Sequence, residues 1–471
     1  MNVILIVSDT CRQDHLGCYG HPWMQTPHLD RLAGQALVFD HCYAGSFPTV
    51  PCRSDLLTGK YNLTYLGWAP LPQDEITLPQ VLTREGYLTA GIADTPFYMK
   101  NGYGYDRGFG DFIFIRGQGT GQANKDLTGL RRCEEDYFAP QTFATAEKWL
   151  ELHHKDDFFL LVDTWDPHEP WDPPAHYVER YLRDYDGRPS PWPPYWYWEE
   201  AGLSAEEVAR AHAHYCGEIS MVDRAVGRLL ERVESLGLRD NTAILFTADH
   251  GFYFGEHGIF GKGLFRSERG FRIGPDIQHR GEYSFTFKNP NTGELTIGIA
   301  EWQRSPLYVE AARVPLIISL PGAKPGRVNS LVSLPDLMPT ILDLFGVDVP
   351  ETVQAPSLLP LLEGKTQQIH DSVVTSWPLH EPGFKLRVVD DVERTAAEVL
   401  PSTITDGEWT LICSVKGEPI ELYHLPSDPG QLKNVAPDNE PVVRALHAQL
   451  VAFLEETGTS ERLLAPRRVL L

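Results

Sequence analysis

Two acidic residues stand directly behind apolar runs that read as core strands: Asp9 after Val3–Val7, and Asp249, followed by His250 and Gly251, after Ala243–Thr247. Ligands of open parallel sheets gather at the carboxyl ends of the strands, so positions 240 residues apart in the chain can share one site. Carboxylate oxygens joined by one imidazole suit a divalent cation. The histidine favours Mn²⁺ or Zn²⁺ over Ca²⁺ or Mg²⁺. The formal net charge of −23 points the same way. A chain this acidic lacks the Lys and Arg surplus that holds nucleic acid or anionic membranes, and an anionic substrate needs a local positive charge, which a metal supplies. No nucleic-acid or membrane partner is therefore expected.

The elements that must carry these groups follow from the same runs. Val3–Val7, Tyr87–Ala93, Phe158–Val162, Ala243–Thr247 and Val314–Ser319 are continuously apolar, as in strands covered on both faces. Helical patterns lie between them. Thr26-Pro27 opens one helix, and Ser204 with Glu207 forms a capping-box pattern ahead of a periodic stretch to about Leu236. The fold class is α/β, a large mostly parallel sheet flanked by helices.

At 471 residues the chain is long enough for one large domain and a smaller one. Residues 1–350 are assigned to the large domain. Residues 351–471, with strand candidates at Ser372–Ser376 and Trp409–Val415 and a closing helix near Pro441–Glu456, form the smaller α+β domain. Segments 176–203, crowded with Pro, Tyr and Trp, and 264–305, rich in Arg and Gly, are candidate pocket loops or hairpins. The seven cysteines are scattered without CxxC pairs, and Met1–Asp9 has no basic leader ahead of its short apolar run. A cytoplasmic location with reduced thiols is expected, and nothing speaks against a homo-oligomer.

The segment Ser46-Phe47-Pro48-Thr49-Val50-Pro51-Cys52-Arg53, closing with Thr58-Gly59, resembles the sulfatase signature. Its Pro, Arg and Thr-Gly pair follow a nucleophile in fixed register, which places that nucleophile at Thr49. The likeness continues through His15 to Gly20, Thr26 to Ala33, Asp166 to Pro170, Asp249 to Gly251, Gly255 to Gly258, Gly261 to Gly263 and Asp336 to Thr340. On these motifs the chain is similar to the sulfatase-like branch of the alkaline phosphatase superfamily over nearly its whole length.

The resemblance implies one divalent metal held by Asp9, Thr49, Asp249 and His250, with Thr49 as nucleophile. Arg53 orients the nucleophile loop, and Lys262 and His168 stabilise charge on the transferred group. Asp94-Thr95 stands where sulfatases show Gly-Lys-x-His, which makes Thr95 a candidate substrate hydrogen-bond donor and Lys100, from the next turn, a candidate substrate contact that compensates for the missing basic pair. His257 and His279 match no two-metal pattern.

Two departures bear on function. Sulfatases carry Cys or Ser at the nucleophile position and convert it to formylglycine; the extra methyl of Thr49 closes that route, so no formylglycine is expected. Cys52 lies three residues out of register and reads as a small buried thiol. Thr10 replaces a second metal-binding Asp, as in branches that cleave phosphodiesters and phosphonate monoesters. The balance therefore favours phosphorus esters over sulfate esters. A sulfatase using unmodified Thr49, a phosphoryl transferase and a non-catalytic binding protein are the alternatives.

Overall fold

Apolar runs without alternation become the middle of one sheet, because both faces of that sheet are covered. The computed structural model describes residues 1–99, 102–116, 133–267, 278–279, 284–288, 295–303, 305–379, 401–414 and 420–470. Its main sheet has eight strands: β1 (Asn2–Ser8), β2 (Leu37–Tyr43), β3 (Leu88–Ala93), β4 (Asp111–Phe114), β5 (Phe158–Thr164), β6 (Thr242–Thr247), β7 (Leu316–Ser319) and β8 (Gly326–Ser333). Their order is β8-β2-β7-β6-β1-β5-β3-β4. Only β7 runs against its neighbours. The central trio β6, β1 and β5 is buried along its whole length.

Helices α1 (Pro27–Ala33), α2 (Thr49–Thr58), α3 (Phe138–His153), α4 (Ala205–Ser235) and α5 (Leu337–Phe345) accompany the sheet. The capping box of α4 forms: the Glu207 amide donates to Ser204 Oγ at 3.2 Å, and the Ser204 amide donates to Glu207 Oε2 at 2.8 Å. At α1 the proline takes the first turn, but the Thr26 hydroxyl accepts from Gly17 and donates to Asp30 instead of capping the helix.

A smaller C-terminal sheet domain pairs β9 (Val373–Ser376), β10 (Ser402–Thr405), β11 (Trp409–Cys413) and β12 (Glu421–His424) antiparallel in sequence order, with α6 (Glu440–Glu456) packed against it. It is not an appendage. Ser376 pairs with Ser46: the Phe47 amide donates to the Ser376 carbonyl at 2.9 Å, and the Ser376 amide donates to the Gly45 carbonyl at 3.1 Å. Trp377 packs edge-on against Phe47 with ring centres 4.6 Å apart.

The two segments singled out by composition differ. Within 176–203 the chain is mostly irregular, but Trp196–Tyr197 pairs with Ile259–Gly261. In 264–305 the described backbone forms antiparallel strands Leu264–Ser267, Gln278–His279, Ser284–Lys288 and Leu295–Gln303, a hairpin sheet. No helix among the described residues is long and apolar enough to cross a membrane.

Candidate active site

Strand ends bring the acidic residues together. Asp9 follows β1, Asp249 lies two residues past β6, and Asp163 is the penultimate residue of β5, in register with Val7. All three are fully buried. One ligand atom from each of Asp9, Asp249 and His250 lies within 4.8 Å of the others. Gly251 allows this approach, since a Cβ there would meet the Glu310 carbonyl oxygen at 1.9 Å.

Thr49 arrives from the other side, as the first residue of α2, and is 1% exposed. The helix N-terminus carries partial positive charge, which favours an anion at this hydroxyl. Asp55, six residues further along the helix, holds the preceding loop: its carboxyl group accepts from the Ser46 amide and hydroxyl at 2.7 and 2.9 Å and from the Asn62 amide at 2.8 Å. Thr49 Oγ1 lies 3.2 Å from His250 Nε2. His250 Nδ1 donates to the Gly251 carbonyl at 2.9 Å, so its Nε2 presents a lone pair toward Thr49.

Arg53 lies under this group and does not reach outward. Its Nη1 is 2.9 Å from Asp9 Oδ2 and 2.7 Å from Asp249 Oδ2, while Nε and Nη2 form a fork with Asp163 at 2.8 and 2.7 Å. Nη1 also donates to the Thr49 carbonyl at 3.3 Å. The guanidinium therefore ties the loop that carries Thr49 to three strand ends at once.

The residues fit a divalent cation. Thr10 satisfies one oxygen of each aspartate, its hydroxyl donating to Asp9 Oδ1 at 2.6 Å and its amide to Asp249 Oδ1 at 2.9 Å. Doing so holds Thr10 at φ 61°, an uncommon conformation for a β-branched residue. Asp9 Oδ2 is left buried without a well-aligned hydrogen-bond donor, despite its proximity to Arg53. Burial and the Asp249 charge push the Asp9 carboxyl well above the usual carboxylate range; against burial, His250 and Arg53 hold Asp249 below it. Burial also brings His250 down to about 4, despite Asp249, so the imidazole is neutral and able to ligate. A cation among these groups removes the conflict between two adjacent buried carboxylates.

Lys262 and His168 form a second polar pair. Lys262 Nζ donates to His168 Nε2, and His168 Nδ1 donates to the Glu169 carbonyl at 2.6 Å. Burial and Lys262 hold His168 well below its usual range, keeping it neutral. The Lys262 charge is felt at Asp9 and His250, which places this pair beside the aspartate cluster.

Thr95 departs from its expected role. Its hydroxyl donates to Asp163 Oδ1 at 2.8 Å and is fully buried, so that donor is committed to the Arg53 network and is not offered to a substrate. Lys100 and the side chain of His279 lie outside the described residues. His257 pairs with Glu310 at 3.3 Å and stacks on Tyr308. Cys52 is a buried thiol whose Sγ lies at hydrogen-bond distance from both the Ser46 and the Asp249 carbonyls, which share its one proton. Burial raises its pKa well above the usual thiol value.

Two residues escaped the sequence reading. Asp163, whose other oxygen also accepts from Tyr98 at 2.8 Å, could have been found by applying the strand-end rule to β5. Glu169, beside His168, is buried with Oε2 lacking a hydrogen bond, and burial pushes it up to about 7. Only its place within the Asp166-Pro-His-Glu-Pro segment hinted at it.

Comparisons with known proteins give the family and the fold. The chain matches the sulfatase family model over residues 1–347 and the C-terminal model of N-sulphoglucosamine sulphohydrolase over residues 301–457. The N-acetylglucosamine-6-O-sulfatase of Bacteroides thetaiotaomicron is 24% identical, covering 97% of this chain and 86% of that protein. The arylsulfatase of Clostridium perfringens is 24% identical, covering 98% and 95%. The phosphonate monoester hydrolase of Agrobacterium radiobacter has the same fold, with a TM-score of 0.72 at 21% identity and coverage of 97% and 96%.

Proposed function

Starting from the fact that the chain belongs to the sulfatase family, a family of ester hydrolases, we propose that it cleaves phosphodiesters and phosphonate monoesters through a covalent Thr49 ester. The observation that carries this reading is the Thr49 hydroxyl itself, heading α2 at 3.2 Å from His250, in a position where no aldehyde can be made from it.

Asp9, Thr49, Asp249 and His250 would hold a divalent ion, which would supply the positive charge that eases loss of the Thr49 hydroxyl proton near neutral pH. Thr49 Oγ1 attacks phosphorus in line; the bond from Oγ1 to phosphorus forms as the bond to the departing alcohol oxygen breaks. Lys262, oriented by His168, directs its N–H groups at charge building on the transferred group or the leaving oxygen. Water then cleaves the Thr49 ester: its hydroxyl goes to phosphorus as the bond to Oγ1 breaks, its proton goes to Oγ1, and the proton that Thr49 lost on attack ends, in net balance, on the departed alcohol oxygen. Arg53 holds the Thr49 carbonyl and both aspartates in place throughout.

A second reading, sulfate-ester hydrolysis by unmodified Thr49, draws on the two sulfatases to which the chain is similar. One experiment addresses both. Initial rates of the metal-reconstituted protein are measured on aryl phosphodiester, phosphonate monoester, phosphate monoester and sulfate substrates, alongside Thr49→Ala. Diester and phosphonate are expected to lead, with Thr49→Ala at least about 10³-fold slower on all of them while fold and metal content are kept. Sulfate in the lead favours the second reading; near-normal rates in Thr49→Ala end both.

A further inference from the structure

We propose that His15, His212 and Cys216 form a second metal site, for a thiophilic divalent cation of the Zn²⁺ type, that pins the loop carrying Asp9 to helix α4. His212 and Cys216 are one turn apart on α4 and so share a face. His15 meets them from the segment just beyond β1. One ligating atom from each of the three lies within 4.8 Å of the others. His15 and Cys216 are buried and His212 is half-buried.

The hydrogen bonding around His15 is that of a ligand. Asp14 Oδ1 lies 2.9 Å from His15 Nδ1 and takes its N–H, which leaves the Nε2 lone pair facing inward. Carboxylate partners orient metal-binding imidazoles in the same way. His15 Nε2 and His212 Nε2 stand 2.6 Å apart, a hydrogen-bond separation that holds a proton between them and that a cation would have to widen. A proton serves that one contact and leaves the Cys216 sulfur idle; a cation uses all three lone pairs.

The second choice asks for a small opening of the cluster. Zinc bonds of about 2.0–2.1 Å to nitrogen and about 2.3 Å to sulfur give tetrahedral ligand separations of about 3.3–3.6 Å. The two rings must part by about 0.7 Å to reach that spacing, which the half-buried His212 can supply. Burial pushes the Cys216 thiol up, so the cation must displace its proton on binding. The other cluster, Asp9 with Asp249 and His250, offers only oxygen and nitrogen; sulfur at this one selects a softer ion.

The site has a structural consequence. Tyr215, adjacent to Cys216, donates from its hydroxyl to the Thr10 carbonyl at 2.8 Å and accepts the Arg12 amide at 2.9 Å. An ion joining His15 to α4 clamps the turn whose Thr10 fixes one oxygen each of Asp9 and Asp249.

Cobalt tests this directly, because a thiolate-to-cobalt charge-transfer band reports sulfur ligation and the Asp9 cluster has no sulfur donor. Reduced, metal-stripped full-length protein is titrated with Co²⁺. The band is expected to saturate at one ion per chain in the wild type, to persist in Asp9→Asn and Cys52→Ser, and to vanish in Cys216→Ser. His212→Ala, a change at a half-buried helix position, is expected to weaken the ion by at least about tenfold while circular dichroism stays unchanged. No band in the wild type, a band surviving in Cys216→Ser, or a band lost in Cys52→Ser overturns the proposal.

Discussion

Asp163→Asn tests how the nucleophile loop is held. Each Asp163 oxygen accepts two hydrogen bonds: Oδ1 from Arg53 Nη2 and Thr95, Oδ2 from Arg53 Nε and Tyr98. Asparagine keeps the shape but has one oxygen, so its amide N–H groups must face one of those donor pairs. Thr95 or Tyr98 can rotate a hydroxyl to accept; the fixed N–H of Arg53 cannot. The change therefore breaks half of a buried guanidinium–carboxylate fork and leaves a charge at a 2%-exposed site undercompensated. Removing one partner of a buried pair costs about 3–5 kcal/mol, whereas Thr95→Val, which deletes one neutral donor, should cost only about 1 kcal/mol.

Urea unfolding of the chelator-treated proteins measures both costs. Equilibrium dialysis then measures the catalytic ion, whose affinity should fall about 10- to 100-fold in Asp163→Asn because the freed Arg53 charge sits against the same aspartates. Equal stability of Asp163→Asn and Thr95→Val, or unchanged ion affinity, would refute the claim that Arg53 acts through Asp163. A large loss of kcat/KM in Thr95→Val with stability intact would return Thr95 to the substrate.

Lys262→Met should lower kcat by about 10²–10³-fold with the fold kept, as read by steady-state rates; activity within a few-fold of wild type would remove Lys262 from the reaction. Cys52→Ala should keep most activity, and the intact mass should show residue 49 unmodified; inactivity equal to Thr49→Ala, or an aldehyde mass, would contradict the assignment of Thr49. His370 is paired with Asp336 at 2.9 Å. Burial disfavours its charged form, but the Asp336 carboxylate outweighs that and raises the His370 pKa. A raised folded value means the pair's contribution is complete below the unfolded value of about 6.5 and is lost as pH rises through the folded one. The stability gap between wild type and His370→Gln, followed by denaturant unfolding at several pH values, should therefore shrink from mildly acidic to alkaline pH. A constant gap would show that the pair is not titrating.

The core of the fold was legible because β1, β5 and β6 are buried on both faces and so had to be written as unbroken apolar runs. Strand β2 was not, since Asp40 and His41 interrupt it where its residues are only half-buried. The strand-end rule finds Asp9 and Asp249, and it reaches Asp163 too, since that carboxylate stands directly behind the apolar run Phe158–Val162. Nothing in sequence order says which acceptor a hydroxyl will choose, so Thr95 looked free for substrate when Asp163 in fact claims it. The contact of His15 with His212, 197 residues away, depends on how α4 lies across the sheet and has no local signal.

The backbone pairing of Ser376 with Ser46 has a bearing on biosynthesis. Chains fold from their N-terminal side while still being made, and Asp9, Thr49, Asp249 and His250 have all been translated by residue 250. Until residue 376 has left the ribosome, the Gly45 carbonyl and Phe47 amide have no partner strand to set the angle at which Thr49 enters its helix. The alcohol is thus armed late, by one of the last strands to appear, and a half-made polypeptide holds the reagents without the posture to use them.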